Sequence, residues 1–132
     1  MRRVVVTGIG LVTPLGGNVD DSWANILAGK SGISTIDVFD PSEFAAKIGG
    51  AVKNFDITPY MPAKEARKND LFVQYGFAAA HQALQDSGLE ITEALSLRAG
   101  VAIGSGIGGL PNIEKMCEVV SKSGPRRISP FF

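Results

Sequence analysis

The sequence predicts an α/β protein, and three observations carry that expectation. Short apolar, β-branched runs alternate with segments whose apolar residues recur at helical spacing. Glycines follow the apolar runs, at 8 and 10, 16 and 17, 49 and 50, and at 104, 106, 108 and 109, where they punctuate short elements. The composition, 45% hydrophobic and 20% charged over 132 residues, is that of a chain able to bury a core.

Taken in order, residues 3–7 form a β-branched run closed by Gly8-Ile9-Gly10, which predicts a central strand buried on both faces. Asn18 or Asp20 caps a helix over 21–28, with acid in its first turn and Gly29 at its end; Trp23, Ile26 and Leu27 share one side. The stretch from 30 to 60 breaks into short pieces. Within it, 48–52 predicts a strand with a glycine kink, and Pro59 and Pro62 mark a loop.

Residues 70–87 predict the longest helix, capped by Asn69 or Asp70 and ended by Gly88. Phe72, Gly76, Ala79, Ala80, Ala83 and Leu84 form its packing stripe, whose small residues admit another element closely. A short helix over 91–97, a second buried strand over 99–103 and a helix over 111–120 follow. The tail, 123–132, reads as extended and ends on two aromatics. Two strong strands are few for a complete sheet, and an aromatic end is unlike a solvated terminus. The expectation is one segment, 1–132, without internal boundary, belonging to something larger.

Bulk properties exclude several classes. Thirteen Lys and Arg balance thirteen Asp and Glu, which argues against a dedicated nucleic-acid binder and leaves recognition to local patches. One cysteine excludes an internal disulfide framework and a multi-cysteine metal site. Arg2-Arg3 followed by three valines is too short for a signal peptide, and no run approaches a membrane span. A cytoplasmic protein, with no membrane contact, is the expectation.

Gly104-Ser105-Gly106-Ile107-Gly108-Gly109 formally matches the dinucleotide-binding fingerprint, between a strand and a helix. The rest of the fingerprint fails: the match lies late in the chain, and no acidic residue ends a second strand about twenty positions on. Gly8-Ile9-Gly10 lacks a third glycine, and neither loop carries a Walker lysine. A nucleotide-binding α/β domain is therefore the weakest alternative; the other reading of the loop is a wall of an apolar pocket.

Cys117 shares a predicted helical face with Ile113, Met116 and Val120, with Glu114 and Glu118 nearby, an environment that suits a buried structural thiol rather than a thiolate. His81 falls outside the apolar stripe and receives no role. No catalytic dyad and no metal site emerge. Lys64, Arg67 and Lys68 project together on a helical turn, and Arg126 and Arg127 make a second cationic pair. These clusters are either solvated surface or a site for an acidic partner.

Several segments together resemble one family: Arg2-Arg3-Val4-Val5-Val6-Thr7-Gly8-Ile9-Gly10, the Leu27 to Ile33 segment, Gln74-Tyr75-Gly76, the Gln85 to Ile91 segment, the loop from Gly104 to Leu110, and the tail from Gly124 to Phe132. In register over essentially the whole chain, they resemble the N-terminal part of the β-ketoacyl-[acyl-carrier-protein] synthases, of the type II system of bacterial fatty-acid elongation. The resemblance implies part of a thiolase-like fold, a layered α/β architecture of two related halves, with this chain incomplete within the first. It also implies a homodimer and a decarboxylating Claisen condensation, in which a Cys accepts the acyl group, two His residues assist decarboxylation of the malonyl donor and backbone amides stabilise the oxyanion.

By the same resemblance those catalytic residues lie downstream of this chain, so Cys117 and His81 do not correspond to them and the chain alone is expected to be inactive. Ile107 would line the acyl pocket and limit chain extension, and Phe132 would reach across the dimer interface towards the neighbouring pocket. Lys64, Arg67, Lys68, Arg126 and Arg127 would face the acidic acyl carrier protein, which itself carries the phosphopantetheine, so that no cofactor is expected on this chain. A non-catalytic carrier-protein-binding or heterodimerisation module is the principal alternative.

Overall fold

The computed structural model describes residues 1–130 and 132; the penultimate tail aromatic lies outside the described residues. Its helices are α1 (Val19–Leu27), α2 (Ala63–Ala66), α3 (Leu71–Ser87), α4 (Glu93–Ser96) and α5 (Leu110–Ser123), followed by a 3-10 turn at Pro125–Arg127. Among the described residues the strands are β1 (Ile33–Thr35) and β2 (Ile48–Gly50), paired antiparallel with Ser34 opposite Gly49. The chain forms two units, Met1–Asp56 with Ala78–Glu90, and Ile57–Phe77 with Ile91–Phe132.

In the first unit, Asn18 caps α1 by accepting the Asp21 amide at 2.8 Å, and Gly29 leaves the helix at φ 65°, a left-handed conformation that glycine adopts without strain. Polar groups anchor this helix. Ser22 is fully buried, its hydroxyl 2.9 Å from that of Thr13, and Asn25 donates to the Leu15 carbonyl at 2.6 Å. The predicted apolar side of α1, Trp23, Ile26 and Leu27, is exposed.

The segment 8–11 lies directly on the C-terminal part of α3. A Cβ at Gly8 would collide with the Ala83 carbonyl oxygen, and one at Gly10 with that of Ala79. Two α3 side chains secure the contact: Asp86 accepts the Ile9 amide at 2.8 Å and Gln82 accepts the Leu11 amide at 3.1 Å. Gln82 also donates to the Gly17 carbonyl at 2.8 Å, so one amide side chain joins both ends of the loop before α1. The small residues of the predicted stripe thus do admit a close neighbour, although the fully buried residue of α3 is Ala78, off that stripe.

In the second unit, Asp70 starts α3 through its backbone carbonyl, which accepts from Val73 and Gln74. Asn69 instead donates its side chain back to the Glu65 carbonyl, tying α3 to α2. Gln74 reinforces the join by donating to the carbonyls of Ala66 at 3.0 Å and Asn69 at 2.8 Å. Among the described residues, Ile57, Ala66 and Met116 are the buried apolar side chains of this unit. Gly88, ending α3 within the first unit at φ 62°, meets its expectation.

Four expectations are corrected. Residues 3–7 and 99–103 carry no strand, and their apolar side chains are exposed, Val4 at 96% and Val101 at 85%. A strand exists only through its ladder, and a run apolar on both faces needs a neighbour on each side; the described residues supply none. Residues 48–52 shorten to β2, ending at Gly50. The tail is not wholly extended, because Pro125, with its fixed φ, starts the 3-10 turn. Cys117 is exposed rather than buried, since the described residues cover its helix face only at Met116.

Candidate functional site

The loop 104–109 leads into α5, whose N-cap is Gly109 at φ 73° with Pro111 in the first turn. Of its four glycines, Gly104 and Gly106 have nothing within 4 Å of a Cβ position, whereas Gly108 and Gly109 abut Phe72 and Asp70. Together these elements line a half-open cavity of about 440 Å³, bordered by Asp70, Leu71, Phe72, Tyr75, Ile107 and the turn from Gly108 to Pro111. Its walls are chiefly apolar, the character of a pocket for a hydrocarbon-bearing ligand.

Ile107 lines this recess and is 77% exposed. Burial pushes the Tyr75 phenol above its ordinary value. Asp70 sets a carboxylate oxygen beside the first residues of α5, where an anionic phosphate would have to sit. That placement weighs against a phosphate cradle.

Phe132 does not join Ile107. It lines a separate cavity of about 290 Å³ with Met116, Cys117, Val120, Ser121 and Ile128, and is itself 59% exposed. Cys117 therefore borders an apolar recess at the surface.

Lys64 on α2 and Arg67 at its C-cap are exposed cations. Lys68 is compensated: its Nζ lies 2.8 and 3.0 Å from the two carboxylate oxygens of Glu65. Arg126 and Arg127 are exposed on the 3-10 turn of the same unit. Among the described residues no three His, Cys, Asp or Glu side chains converge as metal ligands would, and no helix is long and apolar enough to cross a membrane.

The sequence places Phe72 in a packing stripe, Asp70 at a helix cap and Tyr75 only within a family-like segment; it assigns none of them to a binding site. Nothing local signals their convergence on the Ile107 loop, because α3 and α5 meet it only through the fold of their unit.

The comparisons with known proteins agree with this architecture. A family model described as "Beta-ketoacyl synthase, N-terminal domain" matches residues 1–132. Among curated relatives, the "3-oxoacyl-[acyl-carrier-protein] synthase 2" of Vibrio harveyi is 56% identical over 99% of this chain. Proteins of the same name from Coxiella burnetii and Staphylococcus aureus (strain COL) are 53% and 43% identical over 99% of it. The chain spans 32% of the length of each. A solved structure, "The ishigamide ketosynthase/chain length factor", superposes with a TM-score of 0.74 at 27% identity, over 98% of this chain and 32% of that one. With a family model matched from end to end and the neighbour's fold shared, the chain belongs to the β-ketoacyl synthase family and forms part of its thiolase-like α/β fold.

Proposed function

We propose that this chain supplies the acyl-binding and partner-binding part of a condensing enzyme that elongates fatty acyl chains. In that reaction the acyl group of a thioester is transferred to a cysteine thiolate, forming a new thioester and releasing the donor thiol. A malonyl thioester on acyl carrier protein then loses CO2, and the resulting carbanion attacks the acyl carbon, expelling the thiolate and forming a β-ketoacyl thioester. The observation that carries the reading is the apolar cavity of about 440 Å³ beneath an exposed Ile107. The names of the curated relatives support the reaction class.

Ile107 meets the growing acyl chain and limits its reach. An apolar wall discriminates by roughly 1–3 kcal/mol per methylene, so one residue's bulk tunes length rather than imposing an absolute limit. Lys64, Arg67, Arg126 and Arg127 face the acidic carrier protein, with Lys68 a weaker contributor because Glu65 already pairs with it. Phe132 serves the dimer interface of a cytoplasmic homodimer. The catalytic Cys and His residues lie outside this chain, which is inactive alone, and the phosphopantetheine arrives on the carrier protein.

The alternative, a non-catalytic carrier-binding or heterodimerisation module, is disfavoured by the apolar side chains each unit leaves uncovered, among them Val4, Trp23, Leu97 and Val101. Exposed apolar surface of that extent suits burial against further protein of the same enzyme. The test is malonyl-dependent condensation by the full-length protein. The reading expects a product two carbons longer with release of CO2, undiminished in Cys117→Ala. Folded protein that leaves acyl and malonyl thioesters unchanged, or a folded Cys117→Ala variant that is inactive, contradicts it.

A further inference from the structure

The two glycines that follow Ile107 are both pressed by the start of α3, but for different reasons. A Cβ at Gly109 would stand 2.6 Å from Asp70 Oδ2, yet its φ of 73° already disfavours any side chain. Gly108 is not among the positions of positive φ, so its backbone would accept alanine. The nearest obstacle to alanine there is the Phe72 ring. A Cβ would lie 2.7 Å from each of Cγ, Cδ2 and Cε2, which means the ring lies across the backbone at that residue.

We infer that Phe72 is a positioning residue for Ile107, and through it a determinant of the acyl length accepted. The inference rests on the reading of Ile107 as the residue that meets the acyl chain. Within this chain Ile107 is 77% exposed, so its own side chain adds little to the holding of the loop by these residues. Gly104 and Gly106 have open space at their Cβ positions and leave the preceding half of the loop without an equivalent brace. The backbone at Gly108, immediately after Ile107, is where the loop is held, and the ring of Phe72 holds it. Phe72 also lines the same cavity, so a ligand pressing on Ile107 works against a loop braced from α3. The Asp70 carboxylate occupies the space where a side chain at the next residue would go.

The experiment compares full-length wild type, Ile107→Ala, Gly108→Ala, Phe72→Leu and the Gly108→Ala/Phe72→Leu double variant. Each is assayed for acylation by short-, medium- and long-chain thioesters. Gly108→Ala, which drives a methyl into the ring, should lower long-chain relative to short-chain kcat/KM by about tenfold, the scale on which contacting residues couple. Phe72→Leu, which removes the flat ring, should restore most of that loss in the double variant. A purely structural role for Phe72 would lower all chain lengths alike and give no such rescue.

If Ile107→Ala shifts the length profile while the other two changes act additively or without length dependence, the positioning role is overturned and the acyl reading stands. If Ile107→Ala and Gly108→Ala both leave the profile flat, the acyl reading falls and this inference falls with it. Should Gly108→Ala fail to fold, Phe72→Leu alone decides. A broadened length profile together with faster amide exchange at 105–108 supports the role, and wild-type behaviour in both overturns it.

Discussion

Two glycine-rich segments of this chain look alike in sequence and differ in cause. At Gly8 and Gly10 the reason is mechanical, because the backbone of α3 occupies the space where side chains would go. Asp86 and Gln82 then fasten the segment by its amides. In the loop 104–109 only Gly108 and Gly109 meet a neighbour, while Gly104 and Gly106 stand in open space and Ile107 points outwards. The first segment is glycine-rich so that the protein can pack against itself. The second has open space at the Cβ positions of Gly104 and Gly106, so packing within this chain does not require glycine there.

Breaking that contrast gives its largest effect at Gly10. Gly10→Ala should destabilise the protein by about 3 kcal/mol, the upper part of the range for overpacking, because the obstructing atom is helix backbone and cannot rotate away. Denaturant unfolding measures it, and a change below about 0.5 kcal/mol would show that the segment does not lie on α3 as described.

A sharper use of the contrast concerns charge. Reversing Lys64 and Arg67 together should raise KM for carrier-bound substrate several-fold, more so at low salt, and leave turnover of free thioesters unchanged. Lys68→Glu alone should do less, since Glu65 already compensates that cation. Equal effects on carrier-bound and free substrates would remove the patch from the partner surface.

The smallest effect is expected at the open end of the loop. Gly104→Ala and Gly106→Ala should each change stability by no more than about 0.5 kcal/mol, as nothing lies within 4 Å and neither has a left-handed φ. Unfolding midpoints far below wild type would show that these glycines are packed after all.

What the sequence made legible follows the range of the interactions involved. The helices α1, α3 and α5 were readable from caps, stops and spacing, all of them local. Of the strands, β2 is legible in part from the run at 48–52, whereas β1 is not and the runs at 3–7 and 99–103 mislead, because a ladder depends on a partner that the run itself does not encode. Cys117 shows the same limit: its apolar face was correctly read as a face, but burial depends on what covers it, and only Met116 is buried there. Lys64, Arg67 and Lys68 stand out by their helical spacing and Arg126 and Arg127 as an adjacent pair, while the roles expected of Ile107 and of these cations come from the resemblance to a known family. Phe72, Tyr75 and Asp70 stayed hidden because their shared cavity forms only when the start of α3 meets the loop before α5.

The central claim is that Ile107 meets an acyl chain, and the acylation length profile of full-length Ile107→Phe tests it most directly. The larger side chain over the cavity should cut kcat/KM for medium and long acyl groups by about tenfold or more, with acetyl transfer little affected. A profile unchanged from wild type, in a variant that unfolds at the wild-type midpoint, would contradict the claim.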